Sequence, residues 1–325
     1  MKVGIDNYGI LPMGLSPLET LKWAEKNGGQ GVQFSGLTPE QSQKTDDSYL
    51  KKLADYASNN NLYIEWGGAQ HIPYDMQSWK KKDIYSVNKK TVQEASVLGA
   101  EVVRSCSGGL MRWDPKNPDT ERILHSTADA LKEHKSLCQE FGVTLALETH
   151  FEFTTFELIQ LFEMCDAEPG GYLGVCLDTM NLLTLIEEPI RAVKRILPWV
   201  VSTHIKDGGI LLHPEGLVSF PCETGKGVID FKKILFLLSS LTHEVNLSIE
   251  DHGGSFLIPV FDKTFMKGFP DLTLEEFIEI MSLEEKTRDR LDAGELKITQ
   301  REKWPELCEE RIKNDINALK KIRDD

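Results

Sequence analysis

The sequence predicts an α/β protein built as a single (β/α)8 TIM barrel with an extended C-terminal loop and helical segment, and two observations carry that expectation. Short β-branched runs alternate with longer stretches of helical periodicity, and the short runs number eight. The segments between them run to roughly 25–45 residues, the length of a crossover helix with its loops. Regular strand–helix alternation implies a parallel sheet, and eight units close most simply into a barrel. A doubly wound sheet is the rival, but no G-x-G-x-x-G turn follows an early strand, which counts against a dinucleotide-binding version.

The strand candidates are Val3–Tyr8, Gly31–Ser35, Tyr63–Trp66, Glu101–Ser105, Thr144–His150, Tyr172–Asp178, Val200–Lys206 and Asn246–Asp251. Helix signals fall between them. Ser16-Pro17-Leu18-Glu19 is a capping box with proline at the first helical position, and that helix should stop at Asn27-Gly28-Gly29. Thr154-Thr155-Phe156-Glu157 and Thr273-Leu274-Glu275-Glu276 repeat the cap. Gly99 and Gly142 end the amphipathic stretches Ser86–Leu98 and Thr127–Phe141. Two stretches exceed a minimal barrel. Gly208–Lys226 reads as a long Gly/Pro-containing loop. Beyond Gly254, residues 255–325 form an extension with an apolar patch, Phe256–Phe261 followed by Phe265, Met266 and Phe269, then a helix at Leu274–Leu283 and a charged helical tail ending near Ile322. The domain division expected is therefore a barrel over 1–254 and an extension over 255–325, packed on the barrel's own mouth or on a partner.

The composition narrows the function classes. The chain has 325 residues, 40% of them hydrophobic and 27% charged, which is ordinary globular composition. A net charge of −14 argues against nucleic-acid and anionic-membrane partners. No apolar run reaches membrane-span length, and the start, Met1-Lys2-Val3-Gly4-Ile5-Asp6, resembles a first strand rather than a signal peptide. The six cysteines (106, 138, 165, 176, 222 and 308) are dispersed without a C-x-x-C pair and read as reduced thiols. A cytoplasmic location is the expectation.

Four consecutive strands end in residues with metal-ligand side chains. The fifth closes on Glu148-Thr149-His150, the sixth on Asp178, the seventh on His204-Ile205-Lys206-Asp207 and the eighth on Glu250-Asp251-His252. An acid closing an apolar strand is costly to bury unless it is paired or metal-bound. At the C-terminal ends of barrel strands such residues converge on one mouth. Three carboxylates and one imidazole suit a hard or borderline divalent cation, with Mn2+ the first choice and Mg2+, Co2+ or Zn2+ the alternatives.

These motifs resemble those of the xylose isomerase-like barrel superfamily, which includes sugar and sugar-phosphate isomerases and epimerases, inosose dehydratases and type IV endonucleases. The resemblance covers roughly Met1–Gly254. It rests on Leu147-Glu148-Thr149-His150, Asp178-Thr179-Met180-Asn181, His204-Ile205-Lys206-Asp207, the loop Thr224–Phe231, and Ile249-Glu250. It implies metal ligation by Glu148, Asp178, His204 and Glu250, with the two glutamates doubling as acid and base on opposite faces of a bound sugar. Many members carry histidine where this chain has Asn181, and multi-zinc nucleases use that histidine as a ligand. The substitution and the acidic balance disfavour a nuclease and leave Asn181 as a substrate-binding candidate.

The reaction expected is sugar isomerisation or epimerisation by α-proton abstraction, through a metal-stabilised enediolate. Candidate bases are Glu148, Glu250 and His150. Lys206 can aim an ammonium at the developing oxyanion, and Arg104 can do likewise or bind a substrate oxygen. His71 and Trp66, near the end of the third strand, are candidates for the wall of a sugar site. The alternative is a β-elimination lyase acting on 3-keto-sugars or 3-keto-glycosides. The C-glycoside deglycosidases, which resemble this superfamily, work so as complexes of a barrel subunit with a small partner. A homo-oligomer or a complex with a small partner subunit is expected. A barrel that binds a sugar without catalysis is the third reading, opposed by the competent residues at all four ligand positions.

Overall fold

The computed structural model describes all residues, Met1–Asp325. Its strands, in chain order, are β1 (Val3–Asp6), β2 (Gly31–Phe34), β3 (Tyr63–Ala69), β4 (Val102–Ser105), β5 (Thr144–Glu148), β6 (Leu173–Asp178), β7 (Val200–Ile205), β8 (Asp207–His213), β9 (Gly216–Cys222), β10 (Leu247–Ile249) and β11 (Phe256–Ile258). Eight of them close a parallel barrel in the order β1-β10-β7-β6-β5-β4-β3-β2. This is the expected (β/α)8 architecture, with helices around the sheet. The other three, β8, β9 and β11, make a small antiparallel sheet. No helix is long and apolar enough to cross a membrane.

Alternation along each strand divides the side chains between the helices and the barrel interior. In β5, Leu145 and Leu147 join the apolar core while Glu148 meets the cluster described below. The interior is unusually polar at its centre. Glu65 accepts from Gln33 and, at 2.8 Å, from Asn246, and burial pushes its carboxyl up to about 7. Tyr63 also fills the interior, its hydroxyl 2.8 Å from Ser248 Oγ. It fits because Gly31 has no side chain: a Cβ there would lie 2.2 Å from the Tyr63 ring.

Several strands end earlier than the sequence predicts. β1 stops at Asp6 because that carboxylate accepts from the Tyr8 amide (2.8 Å) and opens a 3-10 turn over Asn7–Met13. β5 stops at Glu148 and β10 at Ile249, so His150 and Glu250 lie on the loops just beyond. The stretch Thr127–Phe141 is two helices, Thr120–Glu133 and Lys135–Phe141, meeting at His134, whose Nδ1 lies 2.7 Å from the Ala130 carbonyl. The region expected as a loop, Gly208–Lys226, is largely the β8–β9 hairpin.

The C-terminal residues return to the barrel. Helix Leu274–Asp292 extends past its expected end at Leu283 and lies along the hairpin, with Ile210 N donating to Thr287 Oγ1 (3.2 Å). Helix Trp304–Asp324 packs on the start of the chain. Trp304 Nε1 donates to the Gly9 carbonyl (2.8 Å), and Ile312 sits where a Cβ on Gly9 would crowd it at 3.0 Å. Within the apolar patch, Ile258, Phe265 and Phe269 are buried and Phe261 is 61% exposed.

Candidate metal centre

At the C-terminal mouth, one potential ligand atom from each of Glu148, Asp178, His204 and Glu250 lies within 4.8 Å of the others, and all four residues are buried. Cross-strand register explains the meeting. Glu148 sits opposite Cys176 on β6, Asp178 opposite His204 on β7, and His204 opposite Ser248 on β10, two residues before Glu250.

In two of the four residues, Glu148 and Asp178, the protein hydrogen-bonds one carboxylate oxygen and leaves the other for the cluster. Glu148 Oε2 accepts from Arg104 through Nε (2.7 Å) and Nη2, while Oε1 lies 3.4 Å from His204 Nδ1. Asp178 Oδ1 accepts the amides of Met180 and Asn181, both at 2.9 Å, which turns Oδ2 to the cluster. His204 Nε2 faces Asp6 Oδ2 at 3.4 Å, while Nδ1 faces Glu148 and, at 3.6 Å, Glu250. Asp6 is itself fixed by Ser35 Oγ at 2.6 Å. The fourth, Glu250, is contacted at Oε2 by the Lys206 ammonium. Lys206 Nζ also lies 2.8 Å from Asp178 Oδ2.

The donors fit a divalent cation. Asp178 Oδ2, Glu250 Oε2 and both ring nitrogens of His204 are buried without a hydrogen-bond partner. The two carboxylate oxygens face the Lys206 ammonium, and an unmatched buried ring nitrogen costs on the order of 1–3 kcal/mol unless something satisfies it. Three carboxylate oxygens and one imidazole nitrogen are the ligand types of Mn2+, Co2+ or Zn2+ sites. The electrostatics agree. Burial works against charge on His204, but Cys176, Glu148, Glu250 and Asp6 outweigh it and hold the imidazole well above its ordinary range. The cluster therefore draws positive charge, and a proton and a metal ion compete for Nδ1. Burial also works to raise Glu148, yet Arg104 and His204 hold it well below the usual carboxylate range. Burial pushes Asp178 up to about 6 despite Lys206.

Above the cluster opens a cavity of about 670 Å³. Glu148, Glu250, Arg104 and Lys206 line it together with His150, Cys106 and Asn181, and Phe151 and Phe256 form an apolar wall. Asp178 and His204 lie beneath, fully buried. His150 Nδ1 is 2.9 Å from Glu152 Oε2, and Cys106, His150 and Glu152 form a second group of potential ligands. Two residues expected at the sugar site are not in the cavity wall. Trp66 is buried behind β3, its indole donating to Glu94 at 3.1 Å and its ring against Phe34. His71 is buried beside Ser105 (3.1 Å) and Phe153. A strand tryptophan alternates outward here, and a buried histidine finds a hydroxyl partner.

Sequence reasoning passed over Asp6, Cys106, Glu152 and Arg301. Asp6 carried a usable signal, because β1, like β5 and β6, ends in an acid. Arg301 carried none: it lies far beyond the last barrel strand and reaches the cavity only through the return of the C-terminal segment.

Fold and site together define a (β/α)8 barrel with a buried three-acid, one-histidine centre at its C-terminal mouth. Residues 21–270 match the family model described as the xylose isomerase-like TIM barrel, and the chain belongs to that family. Among individual relatives, the uncharacterised protein YihM of Escherichia coli K12 is 26% identical over 221 residues, 67% of this chain and 61% of YihM. A 3-oxo-isoapionate decarboxylase of Pectobacterium atrosepticum is 26% identical over 115 residues, 34% of this chain and 40% of that protein. The matched regions thus span less than two thirds of either relative. Among solved structures, an L-ribulose 3-epimerase superposes with a TM-score of 0.59 at 18% identity, covering 90% of this chain and 97% of that one.

Proposed function

We propose that the protein is a divalent-metal-dependent sugar isomerase or epimerase that works by removing the proton next to a substrate carbonyl. The observation that carries the proposal is the set of buried donor atoms left without partners around His204. Mn2+ is the ion proposed first, held by Glu148, Asp178, His204 and Glu250. When bound, such an ion supplies Lewis-acid polarisation of a carbonyl and its neighbouring hydroxyl.

The chain's own residues divide the remaining work. Glu148 and Glu250 both line the cavity and each is matched to one cation, Glu148 to Arg104 and Glu250 to Lys206. The pairing keeps both carboxylates ionised, so that either can take the α-proton. Its conjugate acid can return that proton to the neighbouring carbon, giving the isomer, whereas epimerisation needs the other carboxyl, after gaining a proton from water, to protonate the opposite face. The Lys206 ammonium reaches the cavity from between two acids and stabilises negative charge that develops on a substrate oxygen. Phe151 and Phe256 exclude water from one side.

The elimination reading keeps the same first step, and one feature favours retaining it. His150 faces the cavity with Nδ1 tied to buried Glu152, and an elimination needs a second group to protonate the leaving oxygen. The test is proton exchange in heavy water, followed by NMR, with Mn2+-loaded protein and a panel of D-fructose, D-tagatose, L-ribulose, their terminal phosphates, D-fructuronate and a 3-keto-glycoside. Deuterium entering beside a ketose carbonyl, with the epimer or aldose accumulating, supports the proposal. Release of the aglycone without ketose exchange replaces it with the lyase. Exchange into none of the panel contradicts both.

A further inference from the structure

The cations around the cavity are not equivalent. Arg104 is bonded to Glu148, and Lys206 bridges Asp178 and Glu250. Arg301, which lines the cavity with them, faces no carboxylate. Its Nη2 donates to the Tyr8 hydroxyl, its Nη1 to the Gly253 carbonyl (3.2 Å), and Nη1 lies 2.9 Å from His252 Nδ1. The guanidinium also stands 5.5 Å from the centre of the Tyr8 ring. The Tyr8 hydroxyl and the Gly253 carbonyl are neutral acceptors, and none of the three partners is a carboxylate.

Arg301 is also held in place from both sides. Before it, the Thr299 carbonyl accepts from Gly254 N (2.9 Å), and Gln300 passes so close that a Cβ on Gly253 would lie 2.7 Å from its carbonyl oxygen. After it, Trp304 is anchored on Gly9. An arginine fixed by neutral acceptors beside a cavity, in a chain of net charge −14, keeps its full charge for whatever enters. The charge count agrees, and it rests on the metal reading above. Asp6, Glu148, Asp178 and Glu250 contribute four negative charges. Arg104, Lys206 and a divalent ion contribute four positive ones, and His150 and Glu152 face each other as a pair. Arg301 is the cation left over.

We propose that Arg301 is the anchor for an anionic end group, so that the substrate is a polyhydroxylated chain ending in a carboxylate or a phosphate rather than a neutral sugar. A planar guanidinium matches either anion through parallel N–H···O bonds. The rest of the molecule then lies between Arg301 and the metal centre.

Titration calorimetry of Mn2+-loaded protein with xylitol, D-xylonate and xylitol 5-phosphate tests this, because the three probes share a five-carbon chain and differ at one end. Wild-type protein should bind at least one of the two anions about tenfold or more tightly than xylitol. Arg301→Gln should abolish that preference while leaving xylitol within about twofold, and Arg301→Lys should restore part of it. Which anion is preferred separates carboxylate from phosphate. Equal binding of all three probes, binding of none, or an anion preference that survives in Arg301→Gln would overturn the anchor. Metal content measured on the same samples keeps the two readings apart. Protein that holds Mn2+ without an anion preference loses only the anchor, whereas an Arg301-dependent preference in protein that holds no metal loses only the metal centre.

Discussion

The cluster of Glu187, Arg195 and Glu276 and the cluster of Glu148, Asp178, His204 and Glu250 are both buried groups of acids facing cations, yet they finish their hydrogen bonding differently. Glu187 accepts from Thr155 through N and Oγ1 and from Arg195 at 2.8 Å, and Arg195 also bonds Glu276 at 3.1 Å. Its guanidinium lies over Phe156, 3.5 Å from the ring centre. No atom of that cluster is buried without a partner, whereas the mouth cluster leaves four such atoms on Asp178, Glu250 and His204. The closed cluster ties helix Leu274–Asp292 to the barrel. The open one keeps capacity for a further ligand. Burial and charge alone thus do not distinguish a strut from a site, and neither does unfilled hydrogen-bonding capacity by itself, since Asp251, Arg311 and Asp315 also leave four such atoms. What sets the mouth cluster apart is that its unfilled atoms belong to metal-ligand side chains converging on one point.

Removing a glutamate from the open cluster should have the largest effect. Glu250→Gln should lower turnover of whichever substrate passes the exchange test by roughly a thousandfold while the protein stays folded. Steady-state rates beside a thermal melt would check it, and near-normal turnover would place the base elsewhere. Arg195→Ala should do the reverse. It strands Glu187 and Glu276 and should cost about 3 kcal/mol in denaturant unfolding, with metal content unchanged. Metal loss in that variant would mean the two clusters are not independent.

A third buried acid sharpens the point through pH. Glu65, deep in the barrel, moves from an ordinary carboxyl value to about 7 by burial, with Asn246 and Gln33 opposing. Its folded value lies above its unfolded one, so it takes nothing from stability below pH 4.5 and increasingly destabilises the fold as pH rises towards 7. Glu65→Gln should therefore gain stability over wild type at pH 8, up to about 3 kcal/mol, and little at pH 4.5. Equal effects at the two pH values would contradict the shift. The smallest change expected is Asp6→Asn. It weakens the carboxylate behind His204 Nε2 and should reduce Mn2+ affinity by about 10–100-fold, read by competition with a chelator, without unfolding the protein.

What the sequence made legible follows from how each residue acts. The four strand ends could be named because each closes a short apolar run in ligand-type side chains, and the chain's order already tells which end of the barrel those runs share. Which acid or histidine at each end forms the centre came from the family resemblance. The strand-to-helix rhythm was legible for the same local reason, down to the capping boxes at Ser16 and Thr154. The β8–β9 hairpin was not. Gly208, Gly209, Pro214, Gly216 and Pro221 obscure its alternation, and its pairing with β11 joins residues about forty positions apart, as Ser219 with Phe256. Trp66 was assigned to the cavity because it lies near the end of a strand, yet the face it takes depends on register, where one step reverses every side chain. Arg301 depends wholly on the return of the C-terminal segment over the mouth, a long-range contact that no local pattern announces.

A divalent ion in the open cluster would show in the elemental composition of the purified protein. Wild-type chain, purified without chelator and dialysed against Mn2+, should carry about one equivalent of metal, and His204→Ala close to none while still folded. Wild-type protein without stoichiometric metal, or His204→Ala protein that keeps its full equivalent, would contradict a metal centre at this cluster.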